Sequence, residues 1–278
     1  MVAEPEAAAS DGLRDGGDAQ TGLAVPAQVD SGPLRAAGTL AARVSSVADR
    51  AVFWLSRRWL RVVNGLALLY VGLPLLAPLL MYLGAEWPAR VVHAIYRPLC
   101  HQLPQRSFFL FGPQATYRYE QLAARVGAQV TDNPWSGAFL GSPDVGYKTA
   151  LCQRDIAIYG MIVIAGLLFG ILRTGRRVRP MPLWAYVAFG VLPMLVDGGY
   201  QWISYALATL FPRMGVLPHE TTPVFRVVTG SLFGLSTVWL AYPHVEDTME
   251  EVRESLEGKV RRRANVARSP SGARLRPD

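Results

Sequence analysis

Residues 62–85 read VVNGLALLYVGLPLLAPLLMYLGA, a run without one charged side chain. As a helix rising 1.5 Å per residue, it is long enough to cross about 30 Å of hydrocarbon. Three more uncharged stretches follow: 156–172 between Asp155 and Arg173, 181–196 ending at Asp197, and 227–243 between Arg226 and His244. They are shorter, and flanking polar side chains that snorkel to the interface make up the length. The sequence therefore predicts an all-α fold, a polytopic membrane helical bundle. It has four transmembrane helices, at about 62–85, 156–172, 181–200 and 227–243, plus interfacial helices. Residues 198–212 are uncharged too, but 181–212 is too short for two spans and a turn, which need about 40 residues. The third helix is expected to run on into a short interfacial piece, with a fifth span as the rival.

The chain is 51% hydrophobic and 18% charged, with a net charge of +7. That charge does not point to nucleic acid, because much of it flanks the apolar runs or lies in the C-terminal tail. Arg57, Arg58 and Arg61 precede the first run. Arg173, Arg176, Arg177 and Arg179 fill the link between the second and third. Lys259, Arg261, Arg262 and Arg263 follow the fourth. In a four-span chain all three sets fall on one side, which the positive-inside rule makes cytoplasmic. The reading is a multi-pass cell-membrane protein with both termini inside and residues 86–155 and 213–225 outside.

Residues 1–38 lack aromatic side chains and read as disordered, with no signal-peptide pattern. The membrane domain reads as 39–245, and 246–278 as a charged helix followed by a basic disordered tail. In the outer segment, Pro88 suits a first helical turn, and Val91, Val92, Ile95 and Leu99 suggest an apolar face. Pro98 ends or kinks that helix, Glu120 faces solvent, and 112–147 reads as a surface insertion. No internal repeat is present.

The only two cysteines lie in Cys100-His101-Gln102 and Cys152-Gln153-Arg154-Asp155, both bordering apolar segments. Cys152 and Asp155, three apart at the mouth of the second helix, can share a face. Asp197 lies about 24 Å along a helix begun at Met181, so it approaches the same outer boundary. Gln201 follows one turn later, and Arg226 opens the fourth helix from that side. An antiparallel bundle would gather them beside the Cys100 loop, giving a candidate pocket of Arg106, Arg154, Asp197, Gln201 and Arg226.

Cys100, His101, Cys152 and Asp155 are ligand types suited to zinc or another transition metal. Two alternatives stand beside that reading: a Cys100–Cys152 disulfide, worth about 4 kcal/mol by loop entropy, and unlinked packing thiols. The other residues have plain structural readings as well. Asp155 and Arg226 mark helix ends, Asp197 and Arg226 form an ion pair, and Gln201 bonds another helix. Arg106 and Arg154 suit the phosphate of an anionic lipid. Haem ligation through His93 or His101 has no attachment motif behind it.

Four segments carry a family resemblance: CHQLPQRSF at 100–108, CQRDIAIYG at 152–160, DGGYQ at 197–201 and RVVTG at 226–230. Together they resemble DUF2085, a family of uncharacterised bacterial and archaeal membrane proteins, over roughly 93–242. The family usually shows Cys-x-Arg-Cys in the second segment, where this chain has Asp155, and its intervening loop tends to be shorter than 112–147. The resemblance implies a multispanning domain and favours a metal over a simple disulfide, but implies no activity. The leading expectation is an integral membrane protein with an extracytoplasmic polar pocket that binds a transition metal. One alternative is an enzyme acting on an anionic lipid or lipid-linked substrate, with Asp197 or metal-bound water as base. Another is a disulfide-stabilised accessory subunit. The lipid bilayer is the expected partner, no nucleic acid is expected, and a homo-oligomer could enlarge the site.

Overall fold

Two of the prolines inside helices leave carbonyls that are satisfied from outside. The computed structural model describes residues 32–127, 130, 138–211, 213, 215 and 219–268. Helix α1 runs Gly32–Tyr82 and contains Pro74 and Pro78. Proline has no N–H, so Pro74 leaves the Tyr70 carbonyl, one turn back, without its helical donor. The Tyr96 hydroxyl donates to that oxygen at 2.7 Å. Tyr96 ends helix α2, Glu86–Tyr96, whose inner face buries Ala89, Val92, His93 and Tyr96. Its other face leaves Trp87, Ile95 and, just beyond, Leu99 exposed, as suits a helix lying at a membrane interface.

After a short 3-10 turn come strand β1 (Ser107–Leu110) and helix α3 (Tyr119–Val126). Strands β2 (Gly141–Ser142) and β3 (Gly146–Cys152) complete an antiparallel sheet in the order β1-β3-β2. No strand was expected here, and the insertion read at 112–147 contains β2 and α3. Phe109, Tyr117, Leu122, Val130, Phe139 and Val145 give this segment a small core of its own. β3 passes directly into helix α4, Gln153–Leu172, so the sheet holds the start of a span.

Helix α5 runs Leu183–Leu210, with a π-helical stretch at Tyr186–Val191 just before Pro193. Helix α6 runs Pro223–Arg268. It repeats the proline device: Pro243 strands the Trp239 carbonyl, which accepts from the Met181 N–H at 3.1 Å. The four helices α1, α4, α5 and α6 are long and apolar enough to cross a membrane. Exposed Leu66, Leu69, Ile164, Leu167, Ile171, Phe189 and Leu195 would meet lipid. Residues 198–210 continue α5, so they make neither a fifth span nor a separate interfacial helix. α1 and α6, at 51 and 46 residues, are far longer than a bilayer needs. Residues 32–38 and 261–268, expected to be disordered, are helical, while 1–31 and 269–278 lie outside the described residues.

The described residues from 48 onward form one compact unit. Its spans pack through Trp59, Leu60, Ala165, Phe169, Val238 and Tyr242. Beside this cluster Glu246 accepts from Trp59 Nε1 at 2.8 Å and from Arg173, while Arg177 pairs with Asp247 at 2.9 Å. The arginines of the α4–α5 link thus sit at the same end of the bundle as the charged extension of α6. Between α4 and α6 the packing is tightest at Gly230 and Gly234. A Cβ at Gly234 would lie 2.4 Å from the Ile158 carbonyl oxygen, and one at Gly230 would lie 2.8 Å from that of Arg154. This is a GxxxG surface, which lets two backbones approach closely.

Candidate functional site

The two cysteines reach one place by different routes. Cys100 follows α2, where its N–H bonds back to the Tyr96 carbonyl at 3.0 Å. Cys152 ends β3 and sits opposite Ser107 in the sheet, at the start of α4. Asp155, in the first turn of α4, accepts from the Cys152 thiol at 3.2 Å. The Cys100 and Cys152 sulfurs and a carboxylate oxygen of Asp155 all lie within 4.8 Å of one another, and both thiols are free. His101 is not in this group. Exposed His101 instead lines the groove described below.

A buried polar layer backs the thiols. Gln102 adopts a left-handed backbone, φ 53°, and its side chain bonds His93 twice: Nε2 to the His93 carbonyl at 2.7 Å, and Oε1 to Nδ1 at 3.2 Å. The Gln102 carbonyl accepts from Lys148 Nζ at 2.5 Å. Lys148, one of only two lysines in the sequence, is fully buried in β3. Burial pushes its ammonium down to about 7, against the opposing pull of the Cys100 charge. Interaction with the Cys152 sulfur lowers Cys100 despite its burial, whereas interaction with Cys100, reinforced by burial and by the Asp155 charge, raises Cys152 well above the ordinary thiol range.

His93 gives a pH prediction. Its Nδ1 faces an amide oxygen and so carries the proton, leaving buried Nε2 without a partner among the described residues. Burial, then the nearby Lys148 charge, lowers the imidazole to about 4. Below its ordinary pKa of 6.5 the unfolded chain takes up a proton that the native state refuses. Stability contributed by neutral His93 is thus present above pH 6.5 and is lost as pH falls toward 4. Refusing that proton costs about 1.4 kcal/mol for every pH unit below 6.5, so the loss by pH 4 is on the order of 3 kcal/mol. His93→Gln should flatten this acid limb in denaturation curves recorded from pH 7 to pH 4; an unchanged limb would refute the assignment.

A second constellation centres on Glu220, in the link between α5 and α6. Glu220 accepts from Arg106 Nη2 at 2.8 Å and Nε at 3.2 Å, from Gln201 Nε2 at 2.7 Å, and from Tyr205 and Arg226. Burial pushes its carboxyl up, but the Arg106 bond and charge outweigh that and hold it below the ordinary range. The His219 N–H donates to Ser204 Oγ at 2.8 Å, fixing the approach of this segment to α5. Buried Arg226 also reaches Thr221 Oγ1 at 3.1 Å, and Gln153 Oε1 and the Gln105 carbonyl at 3.4 Å.

The Asp197–Arg226 ion pair that the sequence suggests is not formed. Asp197 pairs with Arg154 and accepts from Thr229 Oγ1 at 3.2 Å. The exchange has a simple cause: Arg226 opens α6 only six residues after Glu220, and Thr229, one turn on, takes the place facing Asp197. Among the expected pocket residues, the structure joins Arg106, Gln201 and Arg226 through Glu220 and places Arg154 with Asp197. The missed hub did leave a trace, because Glu220 is the only carboxylate between Asp197 and Glu246.

Residues 145–240 match the model of DUF2085, described as a predicted membrane protein. The family resemblance holds. The matched range takes in Lys148, Cys152, Asp155, Asp197, Gln201, Glu220 and Arg226, while Cys100 and Arg106 precede it. The chain is also 23% identical over 194 residues to an uncharacterized protein of Methanocaldococcus jannaschii, covering 68% of this chain and 93% of that one. No solved structure matches. The protein is a membrane protein, with four helices fit to span the lipid bilayer.

Proposed function

We propose that the protein is a membrane-bound metal-binding protein whose site takes zinc or a similar transition ion on Cys100, Cys152 and Asp155. The observation supporting this is the convergence of the three donor atoms within 4.8 Å. Two thiolates on one tetrahedral zinc lie about 3.8 Å apart, so small adjustments would suffice. Three protein ligands leave a fourth position for water or for a group brought by a partner. His101 drops out of the ligand set. Positive-inside orientation, applied to the arginines around 173–179, puts this site on the extracytoplasmic side and both termini in the cytoplasm.

The same nearness of the sulfurs supports a second reading, a Cys100–Cys152 disulfide in an accessory subunit. Metal content and free thiols measured on one anaerobic preparation separate the two. The expected result is about one zinc per chain, lost in Cys100→Ser and Cys152→Ser. A metal-free protein with both thiols titratable would overturn the metal reading. A metal-free protein with none titratable would establish the disulfide.

A further inference from the structure

We propose that a groove beside the outer half of α5 binds the phosphate headgroup of an anionic phospholipid taken from the bilayer. The groove has a volume of about 700 Å³ and is lined by His101, Leu103, Arg106, Arg154, Gln201, Trp202, Tyr205 and the apolar end of α5. No carboxylate lines it among the described residues, although both arginines are ion-paired. Asp197 and Glu220 instead line a separate pocket of about 560 Å³, with Tyr200, Thr221 and Phe225. Each ion pair therefore shows its cationic end to the first groove and its anionic end to the second.

The arginines are placed to receive a phosphate. Glu220 takes the Nε and Nη2 edge of Arg106, leaving Nη1 outside that ion pair, and Arg106 is held over the Tyr205 ring at 5.1 Å. Arg154 gives Nη2 to Asp197, while its Nε is buried without a partner among the described residues. A Cβ at Gly198 would come within 2.9 Å of Arg154 Nη1, so glycine there leaves the guanidinium room at the groove floor. Planar guanidinium forks suit phosphate oxygens better than a point charge does.

The remaining walls suit a lipid rather than a free ion. Trp202 and Leu210 are exposed apolar side chains of α5 that line the groove, which lies where that span ends. A headgroup between the arginines could thus keep its chains along the helix in hydrocarbon. This reading is independent of the metal site, because none of the three proposed ligands lines the groove.

The test uses the full chain in nanodiscs made from equal parts of dioleoylphosphatidylglycerol and dioleoylphosphatidylcholine. After gentle release, native mass spectrometry counts the lipids each chain retains. Wild type should favour phosphatidylglycerol roughly tenfold. Thr209→Glu, which adds a carboxylate at an exposed groove position, should abolish the preference, and Thr209→Gln should keep it. Ala206→Trp should abolish it by filling the groove, with both ion pairs left in place. Equal retention of the two lipids by wild type, or an undiminished preference in both Thr209→Glu and Ala206→Trp, would overturn the proposal. Displacement of the lipid by inorganic phosphate alone would overturn it too, by assigning the arginines to a soluble anion.

Discussion

Glu220→Gln is expected to destabilise the protein by about 3–5 kcal/mol, the cost of stranding a buried charge when its partner is removed. The amide keeps the size of the side chain but loses the charge that holds two guanidiniums together. The Arg226 side chain is only 4% exposed and pairs with no other acid among the described residues, and that of Arg106 is 25% exposed. Denaturant titration in detergent micelles would measure the loss. The double variant Glu220→Gln/Arg226→Met should recover part of it, because two neutral groups are cheaper to bury than one orphaned cation. A change below about 0.5 kcal/mol, typical of surface sites, would show that water already solvates these arginines. The wild type should also carry an acid dependence that the variant lacks. A carboxyl held below its ordinary range contributes stability that is present above its unfolded pKa and lost as pH falls through the folded one.

Gly234→Leu is expected to cost about 3 kcal/mol, at the upper end for overpacking a well-fitted interior. The obstacle is backbone, not a flexible side-chain tip. The first added carbon would meet the Ile158 carbonyl oxygen at 2.4 Å, and α4 and α6 would have to separate along the interface that also carries Gly230. The two helices also carry Arg154 and Asp155, on α4, and Arg226 and Thr229, on α6, so the damage should reach both constellations. Thermal unfolding of Gly234→Leu beside Gly175→Leu, a position with open space around it, isolates the steric effect. Equal losses in the two variants would refute the close-packing account.

How much of this was legible depended on range. The four spans could be read because each is a long uncharged run, and the bilayer demands that signal whatever the neighbours are. The meeting of Cys152 and Asp155 followed from helical spacing, and the depth of Asp197 from helical rise. The choice of partners was not legible. Asp197 had several arginines in reach, and which one wins depends on how α6 is rotated. Glu220 lies in a link that composition marks as external, so nothing local announced that it would be pulled against α5 by His219 and Ser204. The sheet escaped for another reason: β1 has four residues and β2 only two, too few for alternation to show. Without that sheet Lys148 looks like a surface lysine, whereas β3 carries it fully into the interior.

The borrowed donors at the prolines have a consequence for biogenesis. A carbonyl without a donor in hydrocarbon costs several kcal/mol. When α1 first leaves the translocation machinery, the Tyr70 oxygen is bare, and it stays so until Tyr96 has been synthesised and folded back. The Trp239 oxygen has the opposite history, since its donor at Met181 is made before α6 exists. The first span thus waits for its completion, and the last one arrives to find the missing donor already in place.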